Sequence, residues 1–189
     1  RTSPEFALKR LLAAGIGDCY ELARVFRDGE AGGRHNPEFT MLEWYRVGWD
    51  HLRLIDETAE LVRAALSLLG RDATLRVVRY RDLYRDALGI DPFTASEDEL
   101  REALGDVEID PAGLSRDDWL DLLMTHRLQP AFDPDGLLAI VDYPASQCAL
   151  ARLRDDGDGL PVAERFELYL GPLELANGYH ELRDATEQR

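Results

Sequence analysis

The chain has 189 residues, with 37 acidic against 22 basic side chains for a formal net charge of −15. At roughly 150 residues per domain this is about one domain, enough chain to bury a real core, and no apolar run reaches the roughly 18 residues of a membrane-spanning helix. A single lysine, Lys9, and no Lys/Arg-rich block argue against a broad nucleic-acid surface, whereas the acidic balance suits solubility or a pocket for a cationic small molecule.

The chain opens Arg1-Thr2-Ser3-Pro4-Glu5 with no methionine and no apolar leader, and so reads as a piece of a longer product. Residues 4–14 form a helix with Thr2 or Ser3 as N-cap and Phe6, Leu8, Leu11 and Leu12 as its apolar side. Strands follow at 19–27 and 39–47, joined by the polar, glycine-rich stretch 28–37. Residues 51–69 carry Leu52, Ile55, Ala59, Val62, Leu66 and Leu69 at spacings of three and four, a helix closed by Gly70. A short strand at 75–78 precedes helices at 80–88, 96–104 and 115–128, and this acidic stretch reads as a peripheral insertion. Strands are expected at 137–141, 163–170 and 173–182, with Pro144-Ala145-Ser146-Gln147 ending the first. Asp155 to Gly159 is a surface turn without EF-hand spacing, and Cys19 and Cys148 are too few for a disulfide scaffold and fit a reducing cytoplasm.

Alternation along a strand places Phe39, Met41, Glu43 and Tyr45 on one face of the second strand, and Thr40, Leu42 and Trp44 on the other. The second set is mostly apolar and is expected to cover the core, leaving the first as a row that could hold a flat ring and a cation. In the last strand Asn177, Tyr179 and Glu181 share a face, opposite Ala176 and Gly178. Glu167 and Glu174 flank the turn before it, a carboxylate pair suited to Mg²⁺ and so to a nucleoside triphosphate. Arg27 begins the glycine-rich loop and Arg34 and His35 close it, a set of cations suited to phosphate.

These residues resemble a known family. Phe26-Arg27, followed by Arg34-His35-Asn36-Pro37-Glu38-Phe39-Thr40-Met41-Leu42-Glu43, is similar to motif 2 of class II aminoacyl-tRNA synthetases in its lysyl form. Leu173 to Leu182, reading L-E-L-A-N-G-Y-H-E-L, resembles the lysine-site strand of the same enzymes. Thr2-Ser3-Pro4-Glu5, Glu43-Trp44-Tyr45 and Pro144-Ala145-Ser146-Gln147 resemble the elongation factor P–lysine ligase branch, whose members lack an anticodon-binding domain.

The resemblance implies an α+β fold: a mostly antiparallel sheet flanked by helices, here as a partial class II catalytic domain over 1–189. Motif 2 falls at 19–47, a helical insertion at about 79–128 and the lysine and Mg²⁺ strands at 163–182, with motifs 1 and 3 outside the chain. It implies ATP and Mg²⁺, with Arg27 as the catalytic residue on the α-phosphate, His35 on the outer phosphates and Asn36 nearby. Phe39 stacks on adenine, Glu167 and Glu174 hold Mg²⁺, and the backbone of Leu175 lies beside the nucleotide that Glu174 also touches. Ser3, Pro4, Glu5, Glu43, Tyr45, Asn177, Tyr179 and Glu181 line the amino-acid pocket. Gly29 stands where the family usually has a glutamate, and Glu30 follows it.

The implied function is activation of lysine or (R)-β-lysine with ATP, followed by transfer to a lysine side chain of elongation factor P in a cytoplasmic homodimer, with neither membrane nor tRNA as partner. The alternatives are a lysyl-tRNA synthetase core and a non-catalytic lysine- or ATP-binding module. Without motifs 1 and 3, the segment alone is expected to be inactive.

Overall fold

The computed structural model describes residues 1–28 and 36–184. It divides into two compact units, Arg1–Trp49 and Asp50–Arg189.

In the first unit the β-branched and aromatic runs on either side of the glycine-rich stretch form β1 (Cys19–Phe26) and β2 (Glu38–Tyr45). They pair antiparallel, with Cys19 opposite Tyr45, Val25 opposite Phe39 and Phe26 opposite Glu38. Directly opposed residues share a face. One face therefore carries Glu21, Ala23 and Val25 with Phe39, Met41, Glu43 and Tyr45, and here Ala23 and Val25 are buried. The other face carries Tyr20, Leu22, Phe26 and Leu42, all exposed, Tyr20 to 75%.

This reverses the expectation that the Thr40, Leu42 and Trp44 face covers the core. Both faces of β2 hold apolar residues, so alternation fixes which residues go together without saying which set is covered. The cover comes from the N-terminal segment. The backbone N–H of Phe26 donates to the carbonyl of Arg1 at 2.9 Å, and Ser3 reaches Glu43.

The following α1 (Glu5–Ala13) starts at Pro4 with no side-chain cap. Ser3, one residue earlier, accepts from the Glu5 backbone N–H at 2.9 Å. Only Leu8 of the expected apolar side is buried; Phe6 and Leu11 are exposed.

The second unit opens with α2 (His51–Ser67), capped by the Asp50 side chain, which accepts from the Arg53 N–H at 2.9 Å. Then come β3 (Leu75–Arg79), α3 (Tyr80–Leu88), α4 (Glu97–Leu104), α5 (Arg116–Leu123), β4 (Leu137–Pro144), β5 (Leu153–Asp155), β6 (Pro161–Leu170) and β7 (Leu173–Tyr179). The five strands form one sheet, ordered β3-β4-β6, with β5 and β7 paired to the far edge of β6. Only β3 and β4 are parallel. This is the expected α+β arrangement.

Alternation on β6 gives the sheet two different faces. Phe166 and Leu168 pack with Ile55 and Ala59 of α2, while Tyr169 joins Tyr80, Tyr84, Leu120 and Leu123 from the helices α3 to α5. Ser96 and Ser115 each close a capping box, with Glu99 and Asp118 respectively, which explains why two short acidic helices hold their ends.

The helix expected over 115–128 is α-helical only to Leu123. It continues as a π-helical turn, Met124–Leu128, and then a 3₁₀ turn, Gln129–Ala131, containing Pro130, which has no N–H for a helical ladder. The three-residue β5 went unforeseen, because Leu153-Arg154-Asp155 is too short to show a period.

Candidate functional site

In the first unit the expected amino-acid residues meet around one carboxylate. Glu43 Oε2 accepts from the Ser3 hydroxyl and Oε1 from the Tyr45 hydroxyl, each at 2.7 Å. Glu43 is half-buried, so two hydrogen bonds fix its orientation without removing it from reach. Pro4 is buried, and Glu5 is paired with Lys9 at 2.7 Å, one helical turn on.

At the other end of β2, the Arg27 guanidinium lies 5.3 Å from the centroid of the Phe39 ring. Arg27 Nε also donates to the Thr2 carbonyl at 3.4 Å. Asn36 is exposed just before β2. His35, with Gly29, Glu30 and Arg34, lies outside the described residues.

In the second unit the carboxylates fall on the β6–β7 hairpin. Glu167 stands opposite Asn177, Arg165 opposite Tyr179 and Tyr169 opposite Glu174. The partner face holds Gly178 against Phe166. Glu174, Leu175 and Asn177 are exposed, Tyr179 and Glu181 half-buried, and Glu181 forms a bridge to Ala151.

Glu167 and Glu174 line one recess of about 520 Å³. Glu167 is held on both sides, by an ion pair to Arg165 and by the Tyr169 hydroxyl at 2.5 Å. Arg165 in turn donates to the Gln147 carbonyl at 2.8 Å and lies 4.5 Å from the Tyr143 ring centroid. Burial, and then the Glu167 charge, push the hydroxyls of Tyr143 and Tyr169 well above the usual phenol range.

Among the described residues there is no group of three or more His, Cys, Asp or Glu side chains that could hold a metal on its own. Two carboxylates are nevertheless what Mg²⁺ asks of a protein when phosphate and water complete its shell, so Glu167 and Glu174 fit that ion. Among the described residues no helix is long and apolar enough to cross a membrane.

Comparison with known proteins decides the family. The description of class II tRNA synthetases (D, K and N) matches residues 1–189. The chain belongs to the class II tRNA synthetase family. Within that family it is 44% identical over 191 residues to the elongation factor P–(R)-β-lysine ligase of Pseudoalteromonas translucida, covering 100% of this chain and 57% of that protein. Proteins of the same name from Enterobacter sp. strain 638 and Yersinia enterocolitica are 42% and 44% identical, covering 100% and 99% of this chain and 57% of each relative. The chain thus spans somewhat over half the length of the curated relatives it matches.

Sequence reading did not single out Arg165, Tyr169, Tyr143, Asp117 or Asp121. The first two carried a usable signal, since alternation along β6 already puts them on the face of Glu167. The other three come from β4 and α5, and only tertiary packing brings them to the recess.

Proposed function

We propose that the intact protein activates lysine or (R)-β-lysine with ATP and transfers it to a lysine side chain of elongation factor P. The observation that carries this reading is the match across this whole chain to proteins named elongation factor P–(R)-β-lysine ligase. The α+β fold and the hydrogen-bonded Ser3–Glu43–Tyr45 cluster support it.

In this reading Glu43, fixed by Ser3 and Tyr45, receives a substrate ammonium in the first unit with Pro4 and Glu5, and the resemblance of their strand assigns Asn177, Tyr179 and Glu181 of the second unit to amino-acid binding. The substrate carboxylate attacks the α-phosphorus of ATP, a P–O bond forms, and pyrophosphate leaves. Arg27 holds the α-phosphate oxygens through its planar fork and steadies the charge that builds there. Phe39 takes the adenine ring on the face where Arg27 now rests, while His35 holds the outer phosphates with Asn36 nearby and Leu175 flanks the nucleotide with its backbone. Glu167 and Glu174 would hold Mg²⁺, which would supply further neutralisation of phosphate charge. No protein nucleophile is needed, because the residues align two reactants. The acceptor amine, neutral when it attacks, forms the amide and releases AMP. The working form is a homodimer in the cytoplasm, completed by the segments of the class II core outside this chain.

The test is an intact-mass measurement on elongation factor P after incubation with the intact protein, ATP, Mg²⁺ and (R)-β-lysine, with lysine tRNA and α-lysine in parallel. A gain of one lysyl unit on the factor with no charged tRNA is the expected result. Charged tRNA with an unmodified factor makes the protein a lysyl-tRNA synthetase and overturns the reading.

A further inference from the structure

The regular β6–β7 ladder ends at Tyr179, yet Glu181, the last of the expected amino-acid residues, lies two positions further on. The chain there is held by three residues whose backbones form a closed ring. The Arg152 N–H donates to the His180 carbonyl at 2.9 Å, the His180 N–H to the Glu164 carbonyl at 2.8 Å, and the Glu164 N–H to the Arg152 carbonyl at 2.9 Å. Glu181 follows as a bridge to Ala151.

The same three residues are joined a second time through their side chains. His180 Nδ1 lies 2.7 Å from Glu164 Oε2, and His180 Nε2 lies 3.3 Å from an Arg152 guanidinium nitrogen. Arginine only donates, so Nε2 carries the lone pair and Nδ1 the proton, which Glu164 accepts. Glu164 Oε1 faces Arg154 Nε at 3.8 Å, and Arg154 donates to Asp142 Oδ1 at 2.5 Å. Asp142 is buried, with a left-handed backbone (φ 59°) at the bulge in β4. A polar chain thus runs from the end of the lysine strand to the middle of the sheet.

The backbone ring asks for no particular side chain, so it does not explain the histidine. Side chains alternate along a strand, so His180 turns to the face opposite its neighbours Tyr179 and Glu181. Fixing the imidazole on one face therefore fixes the direction of those two on the other.

We propose that His180 is a positioning residue for the amino-acid substrate: clamped between Glu164 and Arg152, it sets Tyr179 and Glu181 for lysine without touching the substrate itself. The clamp stands on the geometry; its effect on lysine rests on the ligase reading.

The test is lysine-dependent pyrophosphate exchange by the intact protein. Lysine or (R)-β-lysine is varied at saturating ATP, and ATP at saturating amino acid. His180→Ala raises the KM for the amino acid about tenfold, the loss expected when a charge-assisted hydrogen bond no longer orients the strand, and leaves the KM for ATP unchanged. His180→Asn, whose side-chain N–H lies near the place of Nδ1, recovers most of that loss. Glu164→Gln keeps the shape and an acceptor but gives up the charge, and raises the same KM about threefold. Urea midpoints establish that each variant is folded, and if His180→Ala is not, Glu164→Gln carries the comparison.

An amino-acid KM unmoved in the folded variants overturns the proposal. So does an equal rise in both KM values, or no recovery by His180→Asn, because loss of general shape gives those results. Absence of exchange by the unsubstituted protein removes the reading of lysine activation and the proposal with it. Exchange by the unsubstituted protein with an unmoved KM in the variants removes the positioning role alone.

Discussion

A β-carbon placed on Gly178 would come within 2.5 Å of the Phe166 ring, which is itself buried against α2. The glycine is therefore a packing requirement of the β6–β7 pair, in the strand that carries Asn177 and Tyr179.

Gly178→Ala should destabilise the protein by about 1–3 kcal/mol, the usual cost of overpacking. Adding Phe166→Leu, which withdraws the ring, should recover part of that loss. Urea midpoints of the single and double variants measure both, and a double variant no more stable than Gly178→Ala alone counts against this account.

Removing the Ser3 hydroxyl leaves Glu43 with its bond from Tyr45. Ser3→Ala should raise the KM for lysine in pyrophosphate exchange about tenfold, corresponding to about 1.4 kcal/mol, while kcat changes little. Overall stability should shift by no more than about 1 kcal/mol, since one partly exposed hydrogen bond is lost. An unchanged KM would remove Glu43 from the amino-acid pocket.

Arg27 and Phe39 touch one another, yet their substitutions should separate kinetically. Arg27→Lys keeps the charge and loses the fork, so kcat should fall at least about 100-fold. Phe39→Ala removes a stacking surface and should act mainly on the KM for ATP, by about tenfold. Initial rates across ATP concentrations distinguish the two, and a pure KM effect of Arg27→Lys would contradict its assigned place on the α-phosphate.

Asp91 supplies a pH-dependent contribution to the second unit. Desolvation alone would raise its carboxyl, but hydrogen bonds from Arg81, the Phe93 N–H and Arg85 outweigh that and lower it from 3.8 to about 2. With the folded value below the unfolded one, its stabilisation is fully present above about pH 4 and is lost as pH falls toward 2. Allowing for partial exposure, Asp91→Asn should cost about 1–2 kcal/mol at neutral pH. The difference between the two proteins should close between about pH 4 and 2 in denaturant titrations. A constant difference across that range would assign the loss to shape instead of charge.

The sequence made some of this legible and hid the rest for physical reasons. The α2 stripe of Ile55, Ala59 and Leu66 was readable because one helix face meets one sheet, although Leu52, in the same stripe, is exposed. Glu174 and Asn177 were readable because they sit in the long motif at 173–182, and Glu167 because it flanks the same turn on the adjacent strand. The covered face of β2 was not, since an N-terminal segment decides it and local alternation does not. The meeting of Asp117 and Asp121 with Ser146 and Gln147 was equally hidden, because it joins positions 26 to 29 residues apart through side chains alone.

The parallel pairing of β3 with β4 has a kinetic meaning. Leu75 cannot meet Leu137 until residues 80–136 have been folded back between them. Closing so long a loop is entropically unfavourable unless its helices have already condensed, and the capping boxes of α4 and α5 favour their early formation. The β3–β4 ladder should therefore be a late event, and the rate at which this unit assembles should be governed by helices that contribute none of its sheet.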